Sequence, residues 1–257
     1  MALGHSQTYA DSSLFNKKSP IKGNEKVNIN IVKFNLAGLV LNNYTFQYER
    51  VFKRKMSVAL SARFMPYSTL PIKQLLRDYM GNNNPDSYGI IDRFKVSNFS
   101  FTPEVRFYLG KGNGQGFYIA PFYRFSQFKS DDLFVGYTVK ENPTDLNETY
   151  HEVNFKGKLT GHTLGVIIGS QWSIKNRFII DWSIAGPHWG ISNGNFVGIT
   201  NYTLDQNDKD KIINAINDLD IPLTKLNYEF PAPNVAKMKF NGPWGGVRVG
   251  LSVGYKF

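Results

Sequence analysis

The last eleven residues constrain this chain more than any other stretch. Val247, Val249, Leu251, Val253, Tyr255 and Phe257 occupy every second position, and Arg248, Gly250, Ser252, Gly254 and Lys256 fall between them. A period of two belongs to an extended strand, whose side chains point alternately to opposite faces. Small and charged residues on one face would pack poorly in a soluble two-sheet sandwich, whose inner faces must interdigitate. They suit the polar interior of a closed barrel with an apolar exterior.

The same period runs upstream from Glu25. A first strand is expected over about Lys26 to Val40 and a second over Asn43 to Phe52, with Tyr44, Phe46 and Tyr48 alternating against Thr45, Gln47 and Glu49. After the basic turn Lys53-Arg54-Lys55, a third strand carries Met56, Val58, Leu60, Ala62 and Phe64, and an insertion follows from about Pro66 to Lys95. A fourth strand places Phe99, Phe101, Val105, Phe107 and Leu109 opposite Ser100, Thr102, Glu104 and Arg106. The glycine-dense turn Gly110 to Gly116 leads to a fifth strand, Phe117 to about Phe128, which is aromatic on both faces and has no readable phase. Long segments are expected at about Lys129 to Glu152 and Pro187 to Val235, around a sixth strand (Val153 to Trp172), a short turn (Ser173 to Arg177) and a seventh strand from Phe178. The fold expected is therefore an all-β, up-and-down antiparallel transmembrane barrel of about eight strands, with short helices in its long loops. With both termini on one side, the turns after strands two, four and six fall on that side and the long connections on the other, the tight first hairpin near Leu41 to Asn43 being the one exception; this is the asymmetry of bacterial barrels. An even strand number closes the sheet without edges, as a bilayer requires.

Composition removes several alternatives. The longest apolar runs, such as Leu36 to Leu41, are far below the roughly 20 residues of a membrane helix. The mean hydropathy of −0.32 is compatible with strands that average two faces. Without cysteine there is neither a disulfide framework nor a thiolate metal site. The formal charge of +10 comes from lysines and arginines spread along the chain, not clustered as a nucleic-acid footprint would be. No nucleic-acid partner is expected; lipopolysaccharide phosphates are the anions such a surface would meet. Residues 1–24 lack a complete signal peptide, but Leu3-Gly4-His5-Ser6-Gln7 looks like the tail of one, followed by a polar periplasmic lead-in; the barrel is expected over 25–257.

A terminal aromatic preceded by apolar residues at every second position, here ending in Tyr255 and Phe257, resembles the signal that outer-membrane barrels offer to their insertion machinery. From about Glu25 onward the chain resembles the small eight-stranded barrels of the OmpA/OmpX/OmpW type. It looks most like a Bacteroidota-type barrel group in which Tyr48-Glu49-Arg50 ends the second strand. The resemblance implies an outer-membrane location with periplasmic termini, and it implies no activity. The outer connections are longer here than in the minimal barrels.

Candidate chemistry is sparse. Glu49, Arg63, Glu104, Arg106, Asp181 and Arg248 fall on inward faces. In a barrel just wide enough for side chains to fill, they read first as a salt-bridge plug and second as a gated ion path. Among the histidines, His188 and His151 stand near strand ends, and a Ser–His–Asp set can be drawn with Ser192 and Asp131 without any motif behind it. Ile212, Ile213, Ile216 and Leu219 recur at helical spacing behind Asp205 and Asp208, which can cap the start. A second short helix is expected from Pro71 to Met80. The run from Asp205 to Asp210 fails as a calcium loop because Lys209 takes a ligand position and the glycine is missing. No cofactor or metal is expected. The role favoured is a non-enzymatic surface or accessory barrel, associated with the bilayer and with other outer-membrane proteins. A narrow solute channel, a lipid-modifying enzyme and a soluble lipocalin-like barrel are the alternatives.

Overall fold

The computed structural model describes residues 26–69, 93–140, 148–217 and 225–257. The elements are β1 (Lys26–Asn35), a 3-10 turn (Ala37–Leu41), β2 (Tyr44–Lys53), β3 (Met56–Thr69), β4 (Lys95–Tyr108), β5 (Gly116–Val139), β6 (Thr149–Ile174), β7 (Phe178–Ile199), α1 (Gln206–Asn217), β8 (Lys225–Ala232) and β9 (Val235–Lys256). Each of β1 to β6 pairs antiparallel with its successor, β7 pairs with β9, and β9 returns to β1. Eight strands thus close an up-and-down barrel. β8 is a ninth strand outside the ring, laid along the first part of β9.

Two segments expected to be loops carry long stretches of strand. β5 continues to Val139 and β6 begins at Thr149, while β7 runs on to Ile199 and β9 starts at Val235. The reason lies in two bulges. In β5 the buried positions are even up to Ser130 and odd from Val135, with the register slipping against β6 between Ser130 and Leu133. In β7 they are odd through Asp181 and even from Gly186, with a slip against β9 between Ser183 and Gly186. A bulge adds one residue and moves every later side chain to the opposite face, so the alternation stops reading as one strand. The first strand is shorter than expected, because residues 37–41 turn in a 3-10 helix whose C-cap Asn42 is left-handed (φ 54°). Position 66 lies inside β3, and the helix expected over 71–80 lies outside the described residues.

The outward face of the ring is apolar all round. Val32, Phe46, Leu60, Phe101, Ile119, Val166, Trp182 and Leu251, one from each ring strand, are all exposed. Toward one end the band carries Trp172, Phe178, Tyr255 and Phe257, and that end also holds the short turns after β2, β4 and β6. There the backbone of Asn30 exchanges hydrogen bonds with Phe257 in both directions (3.0 and 2.9 Å), so both ends of the barrel sequence share this rim.

Above the ring at the opposite end, the long strands β5, β6, β7 and β9 project with β8 as a curved sheet. A helix covers one of its faces. Val135, Tyr137, Val153, Phe155, Phe196 and Met238 bury against Ile212 and Ile216 of α1. This headpiece has its own apolar core, each large side chain contributing about 1.5–3 kcal/mol.

β9 has a notable free edge. β1 accompanies it only over Ser252–Lys256, with one further bond from Leu36 N to Leu251 O (2.8 Å), and β8 accompanies it only up to Asn241. Among the described residues, 242–250 of β9 have no strand on that side.

Candidate functional site

The bore divides into a sealed base and an open upper cavity. The seal begins with the turn between β4 and β5. Gly112, Asn113, Gly114 and Gly116 all have positive φ, which glycine adopts freely and asparagine tolerates. The turn folds against the barrel end, Asn113 N donating to Arg54 O (2.5 Å) and Gly114 O accepting from Gln171 Nε2 (2.8 Å). A Cβ on Gly114 would lie 3.2 Å from both Ile31 and Val51, which form a buried cluster with Ile179.

On this floor stands the charge network. Lys33 Nζ donates to Glu49 (2.6 Å), Gln171 (2.7 Å) and Asp181 (2.7 Å). Arg106 donates to Asp181 (2.7 Å), to Glu104 through Nε (2.7 Å) and to Gln47 (2.9 Å), and lies 3.3 Å from Glu49. Its guanidinium also stacks 4.3 Å over the Tyr118 ring. Tyr108 donates to Glu49 (2.5 Å), Ser57 to Glu49 (2.6 Å) and Tyr118 to Asp181 (2.8 Å). These carboxylates are 0–2% exposed, so they are ionic groups held out of water and saturated with donors.

Five of the six expected lumen residues therefore meet in one network: Glu49, Glu104, Arg106, Asp181 and Arg248, the last reaching Glu104 at 3.2 Å. Arg63 stands apart, donating to Asn98 Oδ1 (2.8 Å) instead. Lys33 is the charged member that was not expected there, and Gln47, Ser57, Tyr108, Tyr118 and Gln171 complete the network. The alternation of Lys33 between Val32 and Phe34 was the available signal. Room for the aromatics comes from inward-facing glycines of β6: a Cβ on Gly169 or Gly165 would lie 2.4 Å from Tyr118 or 2.7 Å from Phe122.

Above the network, Arg63, Arg124, Arg248 and His188 line a cavity of about 350 Å³, open beside the free edge of β9. They lie within electrostatic reach of one another. Arg124 is 8% exposed, and the hydrogen bond its side chain donates runs from Nε to Ser126 Oγ (3.2 Å). His188 Nδ1 is buried without a partner, its ring edge-on to Phe122. An apolar recess of about 400 Å³ adjoins, sharing Arg63, Phe128 and Trp244 with the cavity and adding Met65, Leu159 and Phe196.

Residues 18–224 match the family described as protein of unknown function (DUF3575). The chain belongs to that family. No curated protein matches it. Among solved structures, the N-terminal β-barrel domain of OprF from Pseudomonas aeruginosa is similar over 91% of this chain and 100% of that one, with 8% identity and a TM-score of 0.30. In this DUF3575 member the matched span carries Lys33, Glu49, Arg63, Glu104, Arg106, Arg124, Asp181 and α1; Arg248 lies beyond it.

The remaining candidates are dispersed. His151 stacks between Tyr137 and Tyr202 in the headpiece, at ring distances of 5.7 and 4.8 Å. Burial and a hydroxyl contact with Tyr202 (3.0 Å) hold the Tyr137 phenol well above its ordinary range, so it stays neutral. Ser192 donates to Gly242 O (3.3 Å), and the backbone N–H of exposed Asp131 donates to Tyr67 Oη (3.0 Å). His188 hydrogen-bonds to neither, so the drawn Ser–His–Asp set is not assembled. In α1, Asp205 Oδ1 accepts from Asp208 N (2.8 Å) while Asp208 Oδ2 accepts from Asp205 N (3.1 Å), a reciprocal cap. Ile212 and Ile216 are buried and Ile213 half-buried; Leu219 lies outside the described residues. Tyr255 and Phe257 are exposed on the belt.

Proposed function

We propose that this chain is an integral barrel of a bacterial outer membrane, non-conducting and non-enzymatic, whose headpiece is the surface presented to other molecules. The observation that carries this is the unbroken apolar exterior of all eight ring strands, which water would not tolerate and lipid would cover. The eleven-residue alternating end of β9 has the length of a tilted membrane strand. On this reading the end with the short turns and Phe257 faces the periplasm, and the headpiece with α1 faces outward toward lipopolysaccharide. Phe257 and Tyr255 then serve the insertion machinery.

Fractionation decides the membrane part. The protein should resist carbonate extraction and migrate faster on gels before boiling than after. A protein that stays monodisperse without detergent would instead be the lipocalin-like soluble barrel. For the surface role, pull-down from native membranes in mild detergent should recover other outer-membrane proteins, and Ile216→Asp should release them. A solitary monomer sinks that part while leaving the membrane location standing. An enzymatic reading would return if loss of His188 abolished a change in lipid A or phospholipid mass.

A further inference from the structure

The arginines of the upper cavity have more charge than their surroundings answer. Counting the bore side chains described above, five cations (Lys33, Arg63, Arg106, Arg124, Arg248) face three carboxylates (Glu49, Glu104, Asp181). All three carboxylates are committed to Lys33, Arg106 and Arg248. The surplus is localised: among the described residues no carboxylate ion-pairs with Arg63 or Arg124, and the Arg124 terminal nitrogens have no protein acceptor. An unanswered charge in a confined site is unfavourable, and an anion relieves it with charge-assisted, fork-shaped hydrogen bonds. His188, with an orphan ring nitrogen on the same wall, adds a polar group to the site.

The adjoining recess supplies the other half of a ligand. Its lining is apolar side chains apart from a few polar groups, and it meets the cationic cavity at Arg63, Phe128 and Trp244. Each volume lies within the roughly 300–1,000 Å³ of small-molecule sites, and the recess is sized for one chain, not the several of a whole glycerolipid. Among the described residues the cavity lies beside a stretch of β9, 242–250, that no strand pairs on that side, and there exposed Val247 and Val249 continue the apolar belt, which would give a ligand lateral as well as axial access.

We propose that this cavity binds a single-chain amphiphile with a carboxylate or phosphate head, the head held by Arg63 and Arg124 and the chain lying against Met65, Phe128, Leu159 and Trp244. The inference goes beyond the surface role above. A soluble barrel could carry the same site, so its test stands apart from that of membrane location.

The test uses the full chain in phosphatidylcholine nanodiscs, with quenching of tryptophan fluorescence as readout. The probes are a long-chain fatty acid, the matching lysophosphatidic acid, the matching neutral monoglyceride, and inorganic phosphate. The fatty acid or lysophosphatidic acid should bind at least about tenfold more tightly than the monoglyceride, and whichever of the two is stronger names the head. Arg124→Gln and Arg63→Gln should each weaken anion binding by roughly tenfold or more and leave the monoglyceride unchanged. Arg124→Lys should keep part of the preference, and gel mobility before boiling reports whether each variant is folded. Equal binding of anionic and neutral probes, or folded glutamine variants with unaltered affinity, would overturn the proposal. Phosphate competing as well as the amphiphiles would remove its apolar half, and silence with every probe would remove it entirely.

Discussion

At the scale of single residues, Arg106 holds the base of the bore together. It joins β4 to β7 through Asp181, to β2 through Gln47 and Glu49, and to Glu104 on its own strand. Removing one partner of a buried ion set strands the others, so Arg106→Leu should cost about 3–5 kcal/mol, read as a lowered midpoint in urea unfolding from lipid vesicles. An unchanged midpoint would mean that water already reaches the network. Gly114 is the second residue on which the base depends. With φ +74° and two side chains 3.2 Å from a prospective Cβ, Gly114→Ala should cost about 1–3 kcal/mol in the same assay. Gly110→Ala, whose Cβ would meet ordinary contacts, should cost less. Equal losses at both would locate the effect in the flexibility of the turn and not in the conformation at Gly114.

At the scale of elements, α1 is the piece most easily detached. Its buried side rests on Ile212, Ile216 and Asp208, with Ile213 and Ala215 half-buried beside them and the remainder polar. Ile212→Asp should undock the helix, so that limited proteolysis cuts within 206–217 while the barrel still shows its gel shift. Simultaneous loss of both would show that headpiece and ring form one cooperative unit. This helix was legible because its period, its caps and its apolar positions agree. The strands were legible wherever one phase persisted, as in the part of β9 from Val247 onward. β7 was legible only below its bulge, since an inserted residue inverts the pattern from which a strand is recognised, and β5, aromatic on both faces, showed no phase even before its own bulge. The network shows the same limit at another level. Alternation alone places Glu49, Glu104, Arg106 and Asp181 inside, but not the isolation of Arg63, which depends on its height in the barrel relative to its neighbours.

At the scale of the whole molecule, the bore is closed from its floor to the level of Arg106. Planar-bilayer recordings of the native chain should therefore show no unitary steps. Steps that change when Arg63 or Arg106 is neutralised would restore the channel reading. The two ends of the molecule differ in kind: one is a rigid ionic and glycine-turn seal, the other a tall sheet with its own core and a cavity at its foot.

The unequal strands have a further consequence. β1 and β2 are ten residues long, while β5, β6, β7 and β9 run to between 22 and 26. A cylinder looks the same from every compass direction, but this molecule has a front and a back. Set upright in a bilayer, its described strands would present a wall to neighbours on one side and a low sill to those on the other. Partners recruited to the wall would arrive at one azimuth only, and a patch of such proteins would share a heading instead of spinning independently.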